Sequence, residues 1–100
     1  MFTWAYIYHC PGLDWNEDRS EKIAGGFRIL LVPAADLDSA ALAAKHLVSE
    51  DGVRSIELCG YFGVSGTARV LEATGGTVPV GNVMFGAESV FSAAAAFSDG

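Results

Sequence analysis

Four short apolar runs recur along this chain, each closed by proline or glycine, and segments of a different period lie between them. Phe2–Tyr8, Phe27–Val32, Val53–Cys59 and Val78–Val83 are rich in β-branched and aromatic residues. Runs of this length and composition suit buried strands. Pro79 fits only near a strand start or at an edge. Between the second and third runs, Asp36 offers an N-cap. Leu37, Ala40, Ala41, Ala44, Leu47 and Val48 then follow the i, i+3, i+4, i+7 spacing of one helical stripe, to about Ser49. Trp15–Ala24, behind Asp14 or Asn16, reads as a short polar helix ended by Gly25-Gly26. Thr67–Thr74 and Glu88–Phe97 read as two more helices. Strands alternating with helices predict an α/β fold, a four-stranded, mostly parallel open sheet with helices on both faces. The alternative is a ferredoxin-like α+β sandwich. That fold needs hairpin-length links, for which only Asn82–Gly86 offers a candidate.

One hundred residues make a single domain, 1–100, long enough to fold without disulfide or metal. Apolar residues form 51% of the chain, and the tail adds Val90, Phe91 and Phe97. One small domain does not easily hide that much, so a homo-oligomer, a dimer or trimer, is expected. The net charge is −6, and the six Lys and Arg are scattered. This argues against nucleic acid and anionic membranes as partners. Cys10 and Cys59 each follow a strand-like run, unlike the framework of a secreted disulfide protein. The start, Met1-Phe2-Thr3-Trp4, lacks the features of a signal peptide, and glycines interrupt the uncharged stretch 73–87. A cytoplasmic location is the expectation.

Open parallel sheets bind ligands beyond the carboxyl ends of their strands. That rule draws attention to His9, Cys10 and Asp14 after the first run, and to Asp36 after the second. Cys59, Tyr61, Ser65 and Thr67 follow the third, and Asn82, Glu88 and Ser89 the fourth. Gly60, Gly63 and Gly66 are spaced G-x-x-G-x-x-G, which is neither a dinucleotide fingerprint nor a Walker loop. The glycines either make a tight turn or free backbone N–H groups to hold a carboxylate or carbonyl oxygen. Cys59 is either a buried, inert thiol or an acid–base group. Paired cysteines across an α/β cleft move protons in the aspartate/glutamate racemase superfamily, but its Gly-Cys-Thr type of motif is absent here. His9 has the intrinsic pKa of a general base, or packs its ring under a loop. Glu57 interrupts an apolar strand on the same face as Cys59; it is either paired with Arg28 or Arg54 at an edge, or a functional acid. No spacing of His, Cys or carboxylates suggests a metal site, and no cofactor is implied.

Ser55-Ile56-Glu57-Leu58-Cys59-Gly60-Tyr61-Phe62-Gly63, Ala68-Arg69-Val70 and Val78-Pro79-Val80-Gly81-Asn82-Val83 carry a resemblance. Over most of its length the chain resembles a family of roughly hundred-residue microbial proteins, catalogued as a domain of unknown function. That family shares a Glu-Leu-Cys-Gly-x-Phe-Gly turn and a Val-Pro-Val-Gly strand. The resemblance implies a stand-alone compact domain and no established activity. It also implies that Glu57, Cys59, Gly60 and Gly63 belong to the family's signature.

Two functional expectations follow. In the first, the chain is a cofactor-independent isomerase or lyase acting on a small carbonyl or carboxylate compound. Glu57, Cys59 or His9 move the proton, and the ligand meets Gly60, Tyr61, Phe62, Gly63, Ser65, Asn82 and Glu88. In the second, the same cleft serves a non-catalytic ligand-binding or oligomeric assembly domain.

Overall fold

The structure, a computed structural model, describes residues 1–98. Its elements are β1 (Phe2–His9), β2 (Ser20–Ala24), β3 (Phe27–Ala34), α1 (Leu37–Glu50), β4 (Ile56–Leu58), α2 (Gly63–Ala73), β5 (Val80–Asn82) and α3 (Val90–Ala96), with 3-10 turns at Gly60–Phe62 and Ala87–Ser89. One sheet has the order β2-β3-β1-β4-β5. β1 runs parallel to β3, from Phe2↔Phe27 to His9↔Ala34, and parallel to β4, from Ala5↔Ile56 to Ile7↔Leu58. β5 is parallel to β4, and only β2 is antiparallel, to β3. The mostly parallel α/β architecture stands, and the antiparallel ferredoxin-like alternative does not form.

The sheet has five strands rather than four. The added strand lies where Trp15–Ala24 reads as a helix. Gly25 and Gly26 have φ of +58° and +82° and join Ala24 to its partner Phe27. Two consecutive residues with positive φ make a tight hairpin whose twist matches its strands. The glycines therefore reverse a strand instead of ending a helix. Upstream, the Asp14 carboxylate accepts from the amides of Asn16 and Glu17, and Asp18 accepts from the amide of Asp14. These side-chain bonds hold a local turn, which competes with helix.

Helices on both faces are not confirmed. α1 and α2 both lie on the face of Ala5, Ile7, Leu30, Val32, Ile56 and Leu58, which cluster with Ala40, Ala44, Leu47 and Val70. Ile7, Leu30, Leu47, Ile56 and Leu58 are at most 1% exposed, each contributing about 1.5–3 kcal/mol by burial. The alanines of α1 let its backbone approach the sheet closely. The opposite face, with Trp4, Tyr6, Tyr8, Ile29, Leu31 and Glu57, is half-buried or exposed. α3 buries none of its residues.

An ion cluster fastens the other end of the sheet. Asp51, the C-cap of α1, accepts two bonds from Arg19 at 2.6 and 3.0 Å. It also lies 3.6 Å from Arg28 and 3.9 Å from His46. The Trp15 ring packs on His46 at 5.2 Å. The loop between β1 and β2 is thereby pinned to α1 and to the start of β3.

Candidate functional site

β1 and β4 are neighbours, yet the chain leaves them in opposite directions, toward β3 and toward β5. In open α/β sheets such a divergence opens a crevice at the strands' carboxyl ends. His9 ends β1 there, and Cys59 directly follows β4. Backbone bonds fix both. The Cys59 amide donates to the Ile7 carbonyl at 3.0 Å, and the His9 amide donates to Cys59 Sγ at 3.1 Å. The chain then enters the 3-10 turn, which lays the Tyr61 ring on the His9 imidazole, 3.5 Å between centroids and 4° from parallel. Phe62 stands edge-on to both rings and is 5% exposed.

A cavity of about 600 Å³ opens at this point, lined by Tyr6, His9, Cys59, Gly60, Tyr61, Val83, Phe85 and Phe97. Most of its wall is aromatic or aliphatic. The polar exceptions are the Cys59 thiol, the His9 ring and the phenols. Burial pushes the Tyr6 phenol above its ordinary pKa, and the charges of Cys59 and Glu57 add to that. Tyr6 therefore remains an O–H donor at neutral pH. Outside the cavity, Asp36 caps α1 by accepting from the Ser39 amide at 2.8 Å. That hydrogen bond holds its carboxyl below the usual range, with a smaller contribution from His9.

Of the residues singled out by sequence, His9, Cys59, Gly60 and Tyr61 come together in this cavity. The others lie elsewhere. Glu57 is exposed on the open sheet face, opposite Tyr6 in register, and pairs with neither arginine: Arg28 bonds Glu21, and Arg54 lies over the Phe2 ring. Phe62 packs beneath the His9–Tyr61 stack as part of the core. Gly63 and Asn82 border a neighbouring shallow depression with Val64, Met84 and Val90. Ser65 is exposed on α2. The Glu88 carboxylate folds back over Gly86. Cys10 is a free, half-buried thiol outside the cavity lining. Tyr6, Val83, Phe85 and Phe97 were not anticipated. Tyr6 becomes visible only once β1 is known to neighbour β4.

The glycine turn also differs from expectation. It is a 3-10 turn that leads directly into α2, which starts at Gly63 rather than Thr67. The Phe62 amide donates to the Cys59 carbonyl and the Gly63 amide to the Gly60 carbonyl, so these donors are spent inside the turn. Gly63 has φ 63° and ψ −168°, a region open to glycine almost alone. Gly63→Val is expected to cost about 1–3 kcal/mol from that strain. Because Gly63 lies outside the cavity lining, ligand affinity should be retained. Thermal melts beside calorimetry check both halves of this prediction.

Among the described residues, no three His, Cys, Asp or Glu side chains gather as a metal site would need. No helix among them is long and apolar enough to cross a membrane. Residues 2–98 match the family described as "Family of unknown function (DUF6506)", and the chain belongs to that family. No curated protein and no solved structure matches the chain.

Proposed function

We propose that this member of a family without assigned function binds a small organic molecule in the cavity between the carboxyl ends of β1 and β4. The observation that carries the reading is the grouping of thiol, imidazole and phenol in one apolar cavity at the sheet's point of divergence. Its volume, about 600 Å³, falls within the range typical of small-molecule sites. The stacked His9 and Tyr61 rings favour an occupant with a flat, mainly apolar body. The few polar groups favour one carbonyl or carboxylate end. Two free cysteines fit a reducing, cytoplasmic setting.

The same grouping supports proton transfer without a cofactor, as in an isomerase or lyase. Tyr6 is kept protonated as a donor, and Cys59, in the lining of the same cavity, accepts the substrate proton as its thiolate and returns it from the thiol. His9 holds the ligand through its ring. In the alternative reading the cavity binds without chemistry. Deuterium exchange at the carbon next to the ketone of small aromatic keto acids, followed by NMR, separates the two. An enzyme of this kind exchanges the proton, and Cys59→Ser slows exchange by roughly 10²–10⁴-fold. Equal exchange with Cys59→Ser removes the catalytic reading and leaves binding. Tyr61→Ala should weaken binding in either case, and unchanged binding there contradicts the site itself.

A further inference from the structure

We propose that residues 83–97 form the interface of a two-fold homodimer, in which a second copy of this chain closes the mouth of the cavity. Met84, Phe85, Phe91 and Phe97 are 72%, 60%, 87% and 66% exposed, and α3 buries no residue at all. A seven-residue helix does not persist in water on its own propensity. Three observations favour a second copy of the chain as its cover.

The first is area. A compact monomer of 10.5 kDa exposes about 5,400 Å², whereas this chain exposes 6050 Å². The excess is comparable to the ~800 Å² that each partner contributes to a standard interface. The second is composition. Residues 83–97 hold three Phe, one Met and two Val beside five Ala and two Ser, with a single charge, Glu88. Aromatic surface depleted of charge marks the core of a homodimer interface. The third is electrostatic. Each chain carries a net charge of −6, so most approaches of two copies bring like charges together. The segment 83–97 brings only Glu88 of each chain into such a contact.

This interface adjoins the cavity, because Phe85 and Phe97 belong to both. The rings of Phe85 and Phe97 lie 6.0 Å apart at the rim. A partner packed on α3 screens that rim from water, so dimer and cavity form one unit.

Sedimentation equilibrium on the full chain, without ligand, tests the proposal independently of what the cavity binds. The parent is expected to have twice the chain mass at micromolar concentration. Phe91→Asp is expected to weaken the dimer at least about 30-fold, as for a central hot-spot residue. Val90→Asp should act in the same direction. Leu42→Asp changes an equally apolar position on α1, 60% exposed, and should leave the dimer intact. Phe91 is so exposed in the single chain that its replacement leaves the core and its circular dichroism signal in place. A parent that stays at single-chain mass up to roughly 100 μM, the weak end of specific association, overturns the proposal. So does a dimer that resists Phe91→Asp or breaks with Leu42→Asp.

Discussion

Alanine at Asp51 is expected to lower stability by about 2–3 kcal/mol at neutral pH, equivalent to a fall of about 10–20 °C in Tm for a domain of this size. Asp51 and Arg19 expose only 14% and 19% of their side chains, so water screens the pair weakly. Removing the carboxylate leaves Arg19 without its two charged bonds and Arg28 with only its remaining pair to Glu21. The loop before β2 then loses its anchor to α1. Arg19's hydrogen bond is the largest cause holding the Asp51 carboxyl below its ordinary pKa, with the charges of Arg19, Arg28 and His46 adding to it. A carboxyl lowered on folding contributes stability that is complete above its unfolded pKa, near 3.9, and is lost as pH falls through the folded value. The gap between parent and Asp51→Asn should therefore stay constant from neutrality to about pH 5 and shrink below about pH 4. Denaturant titrations across that range check it. A gap that widens on acidification contradicts the assignment. The cluster sits at the end of the sheet remote from Cys59, so ligand affinity should survive.

Gly66→Val is expected to cost about 3 kcal/mol or more and to damage binding as well. A Cβ on Gly66 would stand 2.7 Å from the Cβ of Phe62. That atom is fixed to the backbone and cannot swing aside, so the 3-10 turn and α2 must separate. In an ordinary helix, replacing glycine gains stability; here the sign reverses. Phe62 lies edge-on beneath the His9–Tyr61 stack. Displacing it disturbs one wall of the cavity. Asp51→Ala and Gly66→Val thus predict different patterns, stability alone lost in the first and stability with affinity lost in the second. Melts and calorimetry on both variants, with Gly66→Ala as the milder step, test the contrast.

The parallel core of the fold was legible because Leu37–Val48 has one clear stripe and the flanking apolar runs are short. Asp36 then sets the start of α1 within a residue. The hairpin is hard to read because Gly25-Gly26 ends helices and reverses strands equally well. The two-residue spacing between Ala24 and Phe27 was the signal that favoured the hairpin. His9, Cys59, Gly60 and Tyr61 were found because strand ends can be read from the sequence. Tyr6 and Phe97 were not, since they reach the cavity through strand order and chain return, which local pattern does not encode. Gly63 and Gly66 looked alike in sequence. One satisfies a backbone angle and the other a close approach, and only coordinates tell these apart.

The central claim, a small-molecule site between β1 and β4, is tested most directly by amide chemical-shift mapping. The isotope-labelled protein is titrated with a panel of small aromatic carboxylates and keto acids. Saturable shifts are expected at His9, Cys59, Gly60, Tyr61 and Val83, together with the Tyr6 and Phe85 amides, and they should vanish in Tyr61→Ala. Shifts confined to the depression beside Asp38, Lys45 and Arg69, or none with any compound of the panel, would contradict the account.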